Sequence, residues 1–284
     1  MGNLAYYNGE IKPLEKLTIP ATDRALFFGD GVYEVVYAIN QKPFALDEHM
    51  ERFFKSCELL NVNSSMSKLE LKNLILSLIA QQKNTYQKIY WQMSRGSAIR
   101  QHDFDPDLKP NLLIIITNEK IKNMRKVKFD LISVEDTRFL HCNIKTLNLL
   151  PSVMASQKAK VANADEAVLH RGELVTECAH SNISIIKNGT LQTAPANNLI
   201  LPGVTRKHLI EICNDLNVPV VEKPFTLQEL FDCDEAIVSS SGCLFIEAKS
   251  LDGRQIGGKN QKLLHELQKA YEEKILKSCG ELLY

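Results

Sequence analysis

Two ionisable residues in the second half of the chain lie in sequence surroundings that suit chemistry. Lys145 lies among apolar neighbours in the stretch 142–150. A lysine becomes a nucleophile or base near neutral pH when burial or a nearby cation lowers its pKa, or when it forms a Schiff base. Glu177 follows the β-type run 173–176, where a carboxylate can stay ionised against a cationic partner. Most lysines in such surroundings reach solvent and most acids at strand ends are solvated, so the residues alone do not establish either role.

The segment 199–206 has the pattern of an anion site. An apolar strand runs into Pro202-Gly203, and a helix follows with Thr205 in its first turn. Free backbone N–H groups and the positive end of the helix dipole bind phosphate at such a terminus, and glycine lets the backbone approach closely. A Pro-Gly turn before a helix is also common as a simple boundary between two elements. A phosphate site and an ordinary turn therefore both stay open.

Arg100 and His102 form a third candidate site. The two residues are two positions apart, so if this stretch is extended their side chains point to the same side. Together they can clamp a carboxylate, because a guanidinium grips both oxygens and an imidazole adds a donor. Arg-x-His also occurs on exposed loops that bind nothing.

The elements that must position these residues follow from periodicity. Asn8-Gly9 predicts an N-terminal hairpin, and β-type runs at 88–94 and 111–117 enclose the loop that carries Arg100 and His102. A helix is expected from Asp47, with Asp47 as its cap, because apolar residues recur at helical spacing. Further elements are predicted as helices at 68–81, 151–164, from 204 and at 260–276, a strand at 127–134, and hairpins turning at 171–172 and 188–189.

Composition and charge limit the class of protein. The chain has 284 residues, 44% of them hydrophobic, and 34 basic residues balance 34 acidic ones. This length and the charged segment 118–126 predict two domains, 1–120 and 121–284. The charge balance argues against nucleic-acid partners, and no apolar run approaches the roughly 20 residues that span a bilayer. Seven scattered cysteines without a C-x-x-C pair predict reduced thiols, no metal site and a cytoplasmic protein.

Taken together, the chain resembles the class IV aminotransferases, the fold type IV enzymes that use pyridoxal 5'-phosphate (PLP), and within them the D-amino-acid aminotransferases. The resemblance covers nearly the whole chain. It is carried by segments in a fixed order, namely Phe28–Val36, Glu48-His49 with Arg52, Arg95-Gly96 with Arg100 and His102, Val134–Asp136, Ile144–Leu150, Val175–Glu177, Ser181-Asn182, Pro195–Asn198 and Gly203–Arg206.

The resemblance implies a role for each of these candidates. Lys145 would form the Schiff base and move the proton between substrate and cofactor, and Glu177 would pair with the pyridine nitrogen. The phosphate group and ring face of PLP would be held by Arg52, Leu201, Val204, Thr205 and Ser240 or Ser241. The substrate carboxylate would be held by Tyr33, Arg100 and His102.

The same resemblance implies an α+β fold with a smaller N-terminal α/β domain and a larger C-terminal pseudo-barrel domain, and an active site between the domains. It also implies a homodimer in which Arg100 and His102 reach the neighbouring subunit's site. The substrates would be D-amino acids of the D-alanine and D-glutamate type and 2-oxo acids such as pyruvate.

Two stretches depart from the family pattern, and three alternatives compete. Cys178-Ala179-His180 stands where serine-rich sequence is common, and Gly242 and Cys243 lie in a run that is usually richer in threonine. Both leave the preferred side chain open. A branched-chain L-amino-acid aminotransferase or an aminodeoxychorismate lyase would share the fold, and an inactive PLP-fold binding module is the alternative that is not an enzyme.

Overall fold

The computed structural model describes residues 3–64 and 66–284. The chain forms two compact units. The first contains the described residues up to Lys120 together with Ile144–Asn148 and Ser278–Leu283, and the second contains Ile121–Asn143, Leu149–Lys277 and Tyr284. The predicted domains, 1–120 and 121–284, counted both of these short segments with the second domain.

One sheet organises the first unit, in the order β2-β1-β6-β5-β3-β4. Every pairing in it is antiparallel. The predicted hairpin at Asn8-Gly9 is confirmed, since both residues have positive φ between β1 and β2. The strands are β1 (Leu4–Tyr7), β2 (Glu10–Pro13), β3 (Gly31–Ile39), β4 (Lys42–Pro43), β5 (Tyr86–Ser94) and β6 (Asn111–Thr117).

Three α-helices, α1 (Arg24–Phe28), α2 (Leu46–Leu59) and α3 (Lys68–Ala80), and a 3₁₀ turn at Leu14–Lys16 complete the described part of this unit. The predicted cap of α2 is wrong. The helix begins at Leu46, after Ala45 in the left-handed region, and Asp47 lies in the first turn, where it pairs with Lys72. The apolar face is as predicted, because Met50, Phe53 and Cys57 are buried in the core.

A mixed sheet organises the second unit, in the order β12-β11-β10-β13-β14-β7-β8-β9, with β15 paired to β14. The parallel pairs are β11 with β12, β14 with β7 and β7 with β8. The strands are β7 (Lys128–Glu135), β8 (Glu166–Arg171), β9 (Leu174–Cys178), β10 (Asn182–Lys187), β11 (Thr190–Thr193), β12 (Val220–Glu222), β13 (Glu235–Ser240), β14 (Leu244–Leu251) and β15 (Arg254–Gln255).

This second sheet is curled by its own connectivity. In a flat sheet the five steps from β10 to β9 would span about 24 Å. Only residues 179–181 join these strands, and the step from Cys178 to Asn182 reaches at most roughly 14 Å. Strands β9 and β10 are in contact, so the sheet bends back on itself in the manner of the predicted pseudo-barrel.

The helices of the second unit are α4 (Leu150–Val161), α5 (Val204–Asp215), α6 (Leu227–Asp232) and α7 (Gln261–Cys279), whose last two residues group with the first unit. The prediction placed the end of α4 at 164, but Asn163 is left-handed and ends it earlier. In α7, Leu264, Leu267 and Tyr271 are buried as predicted. Across residues 3–64 and 66–284, no helix is long and apolar enough to span a membrane.

Candidate active site

Lys145 is fixed in register with the start of β3 in the first unit. Its backbone N–H donates to Ser56 Oγ at 3.2 Å, and its carbonyl accepts from the Tyr33 N–H at 2.9 Å. The Leu147 N–H donates to the Gly31 carbonyl one step further along. The half-buried amine, Nζ, lies 4.2 Å from the centroid of the Tyr33 ring. The structure therefore brings two predicted site residues, Lys145 and Tyr33, into contact.

Arg52 belongs to a buried charge cluster on β3 and α2. Its Nε and Nη2 donate to the two oxygens of Glu34 at 2.6 and 2.9 Å, and His49 Nδ1 lies 2.8 Å from the same carboxylate. Burial alone would raise the pKa of Glu34, but the facing Arg52 and His49 hold it below its usual value. Burial lowers the pKa of His49 against the opposing effect of Glu34. Glu34 thus holds Arg52 as a fixed cation on α2.

Arg100 and His102 lie on the connection between β5 and β6, residues 95–110, called the loop below. Both residues are exposed, and both contact the Phe28 ring. The Arg100 Cζ is 5.2 Å from the Phe28 centroid, and the His102 ring centroid is 5.3 Å away. Gly96 has φ +129° at the root of the loop, where a Cβ would lie 2.2 Å from the Lys109 carbonyl oxygen. The two predicted carboxylate binders therefore share one aromatic support.

Glu177, in the second unit, is a buried carboxylate at the end of β9. It accepts hydrogen bonds from Asn182 Nδ2 at 2.8 Å, from the Leu201 N–H at 3.1 Å, and from Arg138 Nη1. Burial raises the pKa of Glu177 to about 7, although Arg138 opposes that shift. The buried surroundings of Glu177 therefore still favour a further cationic or protonated partner for the carboxylate.

Arg138 is a site residue that sequence reasoning missed. Its Nε and Nη2 donate to both oxygens of Asp136 at 2.9 Å, and Nη2 also donates to the Leu199 carbonyl at 3.1 Å. Asp136 in turn accepts from Thr176 at 2.9 Å and from Arg171 at 3.2 Å. The available signal was the Asp-x-Arg pattern after β7, because two such residues at a strand end can form one planar ion pair. This pair fixes the guanidinium that faces Glu177.

The segment before α5 joins Glu177 to the predicted anion site. Asn182 Nδ2 donates to the Leu201 carbonyl at 3.0 Å as well as to Glu177. Gly203 is the N-cap of α5, and a Cβ there would lie 2.0 Å from Asn182 Oδ1, so only glycine fits. Val204 and Thr205 are buried in the first turn, where backbone N–H groups have no intrahelical acceptor. The predicted residues Glu177, Leu201, Val204 and Thr205 are thus neighbours in this unit.

Ser240 and Ser241 lie at the turn between β13 and β14, and α5 packs against both strands. Ser240 Oγ donates to Cys243 Sγ at 3.1 Å, and burial raises the pKa of the Cys243 thiol to about 12. All seven cysteines of the chain lie within its described ranges, where all are buried and none forms a disulfide.

His180 pairs with a different carboxylate from the one at 177. Its Nδ1 contacts Glu166, which is fully buried and also accepts from Ser181 Oγ at 2.7 Å. His180 also lines a cavity of about 450 Å³ with Lys160 and Asp165. The departure from the family pattern at His180 therefore adds a contact between an imidazole and the buried carboxylate of Glu166.

The residues in place fit the three functional groups of PLP. An aldehyde needs an amine, and Lys145 offers one held at Tyr33. A pyridine nitrogen needs a carboxylate, and Glu177 offers a buried one that Arg138 and Asn182 hold in place. A phosphate needs N–H donors, which the start of α5 provides in the second unit.

Comparisons with known proteins give one consistent result. A family model described as amino-transferase class IV matches residues 31–251. The D-alanine aminotransferase of Listeria monocytogenes serovar 1/2a (strain EGD-e) is 38% identical over 282 residues, covering 98% of each chain. The D-alanine aminotransferase of Staphylococcus haemolyticus is 36% identical over 273 residues, covering 95% of this chain and 97% of that one.

Solved structures share the fold. A branched-chain amino acid aminotransferase solved with pyridoxamine 5'-phosphate superposes with a TM-score of 0.89 at 22% identity, covering 99% of this chain and 96% of that one. The branched-chain amino acid aminotransferase from Escherichia coli superposes with a TM-score of 0.88 at 21% identity, with the same coverage of 99% and 96%. The family model spans most of the chain, and the curated relatives match it nearly from end to end. This chain therefore belongs to the class IV aminotransferases.

Proposed function

We propose that this protein is a PLP-dependent transaminase that moves amino groups between D-amino acids and 2-oxo acids. The observation that carries the substrate class is the pair Arg100 and His102, both set against the Phe28 ring. A guanidinium beside an imidazole suits a carboxylate, which every amino acid and 2-oxo acid carries. The identity to D-alanine aminotransferases supports the D-specific form of this proposal.

The proposed cofactor contacts use the groups already described. Lys145 would bind the aldehyde carbon, Glu177 would pair with the pyridine nitrogen, and Leu201 would pack on the ring. The phosphate would be held by Arg52, Val204, Thr205 and Ser240 or Ser241, with Glu34 keeping Arg52 in place. When bound, PLP supplies an electrophilic aldehyde and a ring that withdraws electrons from the substrate α-carbon.

The protein's own groups then divide the work. Once the substrate amino group has replaced it on the cofactor, the released Lys145 amine would accept the proton from the substrate α-carbon and return it at the cofactor carbon, a role that suits a half-buried amine. Glu177 holds a proton or a positive charge beside its carboxylate, because Arg138 and two further donors keep that carboxylate from turning away. Tyr33, Arg100 and His102 fix the substrate carboxylate.

Stereospecificity follows from where the carboxylate is held. Lys145 approaches the α-carbon from one side only, so the position of the carboxylate decides whether the α-hydrogen of the D or the L isomer faces the amine. Moving the carboxylate site to the other side of the ring would give an L-amino-acid enzyme on the same fold. This is why the loop, rather than Lys145 or Glu177, separates this proposal from a branched-chain aminotransferase.

The test is an assay of the purified holoenzyme with D-alanine and 2-oxoglutarate. We expect pyruvate to form with D-alanine, and at least about a hundredfold less product with L-alanine or L-leucine, as expected when only one isomer presents its proton to the base. Lys145→Ala is the matched control and should lose both turnover and the Schiff-base absorbance band. Turnover with L-leucine alone would overturn the D-amino-acid proposal and favour the branched-chain alternative.

We further propose that the enzyme is a homodimer in which the loop serves the neighbouring subunit's site, and that it works in the cytoplasm. The family resemblance supports the first point, and the buried, unpaired thiols suit a reducing compartment. Mixing unfolded Lys145→Ala and Arg100→Met/His102→Phe chains and refolding them tests the dimer. The mixed dimers rebuild one intact site, so about a quarter of wild-type activity should return, whereas no recovery would show that each loop serves its own chain.

A further inference from the structure

The loop that carries Arg100 and His102 is long and irregular. It runs from the end of β5 at Ser94 to the start of β6 at Asn111. Loops of this length without regular structure in a compact unit are usually functional. Exposed side chains on such a loop bind a ligand well only if something else fixes the backbone that carries them.

Arg24 fixes the backbone of the loop through hydrogen bonds. It is 3% exposed, and its guanidinium donates to three successive backbone carbonyls of the loop. Nη1 donates to the Gln101 and Asp103 carbonyls at 2.7 and 3.2 Å, and Nη2 donates to the His102 carbonyl at 3.2 Å. The middle carbonyl is that of a proposed substrate-binding residue. Because the guanidinium is a rigid plane, three such bonds define both the position and the turn of this backbone.

The charge of Arg24 is balanced by Asp30, which also fixes the root of the loop. Arg24 Nε donates to Asp30 at 2.8 Å, and Arg95 Nε donates to the same carboxylate at 2.9 Å. Arg95 then binds the carbonyls of Leu60 and Asn61 at 2.9 and 2.8 Å. Asp30 and Arg95 therefore connect Arg24, and through it the loop, to the segment that follows α2.

Helix α1 also meets the side chains of the loop. Phe28, four residues after Arg24 in α1, contacts both Arg100 and His102, and the Arg24 Cζ lies 4.8 Å from the same ring. One short helix, capped by Asp23, thus holds the loop's backbone through Arg24 and its side chains through Phe28. A loop held through both its backbone and its side chains has little freedom to move Arg100 and His102 apart.

We propose that Arg24 is a positioning residue for substrate recognition: it holds the loop so that Arg100 and His102 meet the α-carboxylate together, and it does not itself touch the substrate. This inference rests on the proposed role of Arg100 and His102. Without Arg24 the loop carbonyls turn to water, which the exposed loop allows. Arg95 still pairs with Asp30, so we expect the unit to stay folded while recognition of the carboxylate weakens.

The test uses propionate, a carboxylate without an amino group, as a competitive inhibitor of the holoenzyme. We expect Arg24→Met to raise the inhibition constant about tenfold, as does loss of one charge-assisted contact. Arg24→Lys should behave in nearly the same way, because one ammonium cannot reach three carbonyls. In an Arg100→Met background, Arg24→Met should add less than about twofold, since it acts through the same group.

A second readout does not need turnover. In the cofactor-free protein, trypsin should cut after Arg100 several times faster in Arg24→Met than in the unchanged protein, because the loop is no longer held. The affinity for PLP should be unchanged. Ile116→Ala, a cavity variant in the core of the same unit, controls for lost stability and should lower the melting temperature without changing the inhibition constant.

The outcomes separate the two proposals. If Arg100→Met raises the inhibition constant and neither Arg24 variant does, Arg24 has no positioning role. Full rescue by lysine, or independent effects in the double variant, would also overturn it. If Arg100→Met itself has no effect on propionate binding, the proposed carboxylate site fails and the role of Arg24 fails with it. Should Arg24→Met not fold, Arg24→Lys carries the same comparison.

Discussion

The surroundings of Glu177 and the loop that carries Arg100 and His102 hold charged groups in opposite ways. Glu177 is buried, and side chains and a backbone N–H from several elements of its own unit bind the carboxylate directly. Arg100 and His102 are exposed, and in their case the backbone beneath them is held by buried Arg24. One region fixes the charged group itself, and the other fixes the chain that carries it.

The difference follows from solvation. A carboxylate removed from water needs hydrogen bonds and a countercharge at once, or it takes up a proton. Exposed side chains need neither, but they must keep fixed positions relative to each other if they are to bind one ligand together. We therefore expect changes around Glu177 to act on stability and turnover, and changes on the loop to act on substrate affinity alone.

The largest effect is expected from Arg138→Met. It leaves Glu177 and Asp136 without their shared cation in a buried site, so the free energy of unfolding should fall by about 3–5 kcal/mol. Urea denaturation of the cofactor-free protein measures this. Arg125→Met is the matched control, because Arg125 pairs with Glu272 nearer the surface, at 33% side-chain exposure, and such pairs contribute less than about 1 kcal/mol. Equal losses in both variants would contradict the comparison.

The next effect concerns pH. Folding raises the pKa of Glu177 from 4.5 to about 7, so between these values the folded state binds more protons than the unfolded one. The free energy of unfolding of the cofactor-free protein should therefore contain a component from Glu177 that falls by roughly 3 kcal/mol as the pH rises through this window. Glu177→Gln removes that component. Parallel stability curves for the two proteins from pH 4.5 to 7 would show that Glu177 is not the titrating group.

On the loop, Arg100→Met should act differently. We expect the KM for D-alanine to rise ten- to a hundredfold, since a charge-assisted contact to a carboxylate is worth about 1.5–3 kcal/mol. The kcat should change only a few-fold, and the free energy of unfolding by less than about 0.5 kcal/mol. Ile99→Ala, at a neighbouring residue that is 82% exposed, is the control and should leave KM unchanged. A large fall in kcat with constant KM would break the division between the two regions.

The smallest effect is expected from Phe28→Leu. The ring lies beside Arg100 and His102, and one such contact is worth about 0.5–1 kcal/mol at an exposed site, so KM should rise two- to fivefold. Phe27→Leu alters the neighbouring ring of α1 and should leave KM as it was. Steady-state assays of both variants with D-alanine measure the two KM values. An equal KM for both variants would contradict a specific role for the Phe28 ring.

Sequence reasoning succeeded where the signal is local. The predicted strand at 111–117 matches β6 in both bounds, and the helix at 68–81 is α3 apart from its last residue, because side-chain period and turn residues are written in neighbouring positions. The predicted family, the transaminase activity and the PLP cofactor are confirmed by the comparisons. The individual site roles and the domain limits stay predictions.

Sequence reasoning failed where contacts join distant residues. Segment 144–148 groups with the first unit because Thr146 bridges to Val32, more than a hundred residues earlier, and no local pattern records that pairing. Arg24 was missed because its partners are backbone carbonyls 77 to 79 residues away, which any sequence would offer. Ala45 starts α2 in a left-handed conformation that alanine rarely adopts, so the cap was assigned to the nearest acid instead.

The strand order of the second unit has a consequence for how the protein forms during synthesis. Strands β7, β8 and β9 make one ladder and β10, β11 and β12 another, and the hairpin of β13 and β14 pairs with a strand of each. That hairpin begins at Glu235, so a nascent chain lacks the strands that pair the two ladders until its last fifth emerges from the ribosome. Pairings of such sequence separation form slowly. The sheet of this unit can therefore be completed only after the β13–β14 hairpin has been synthesised.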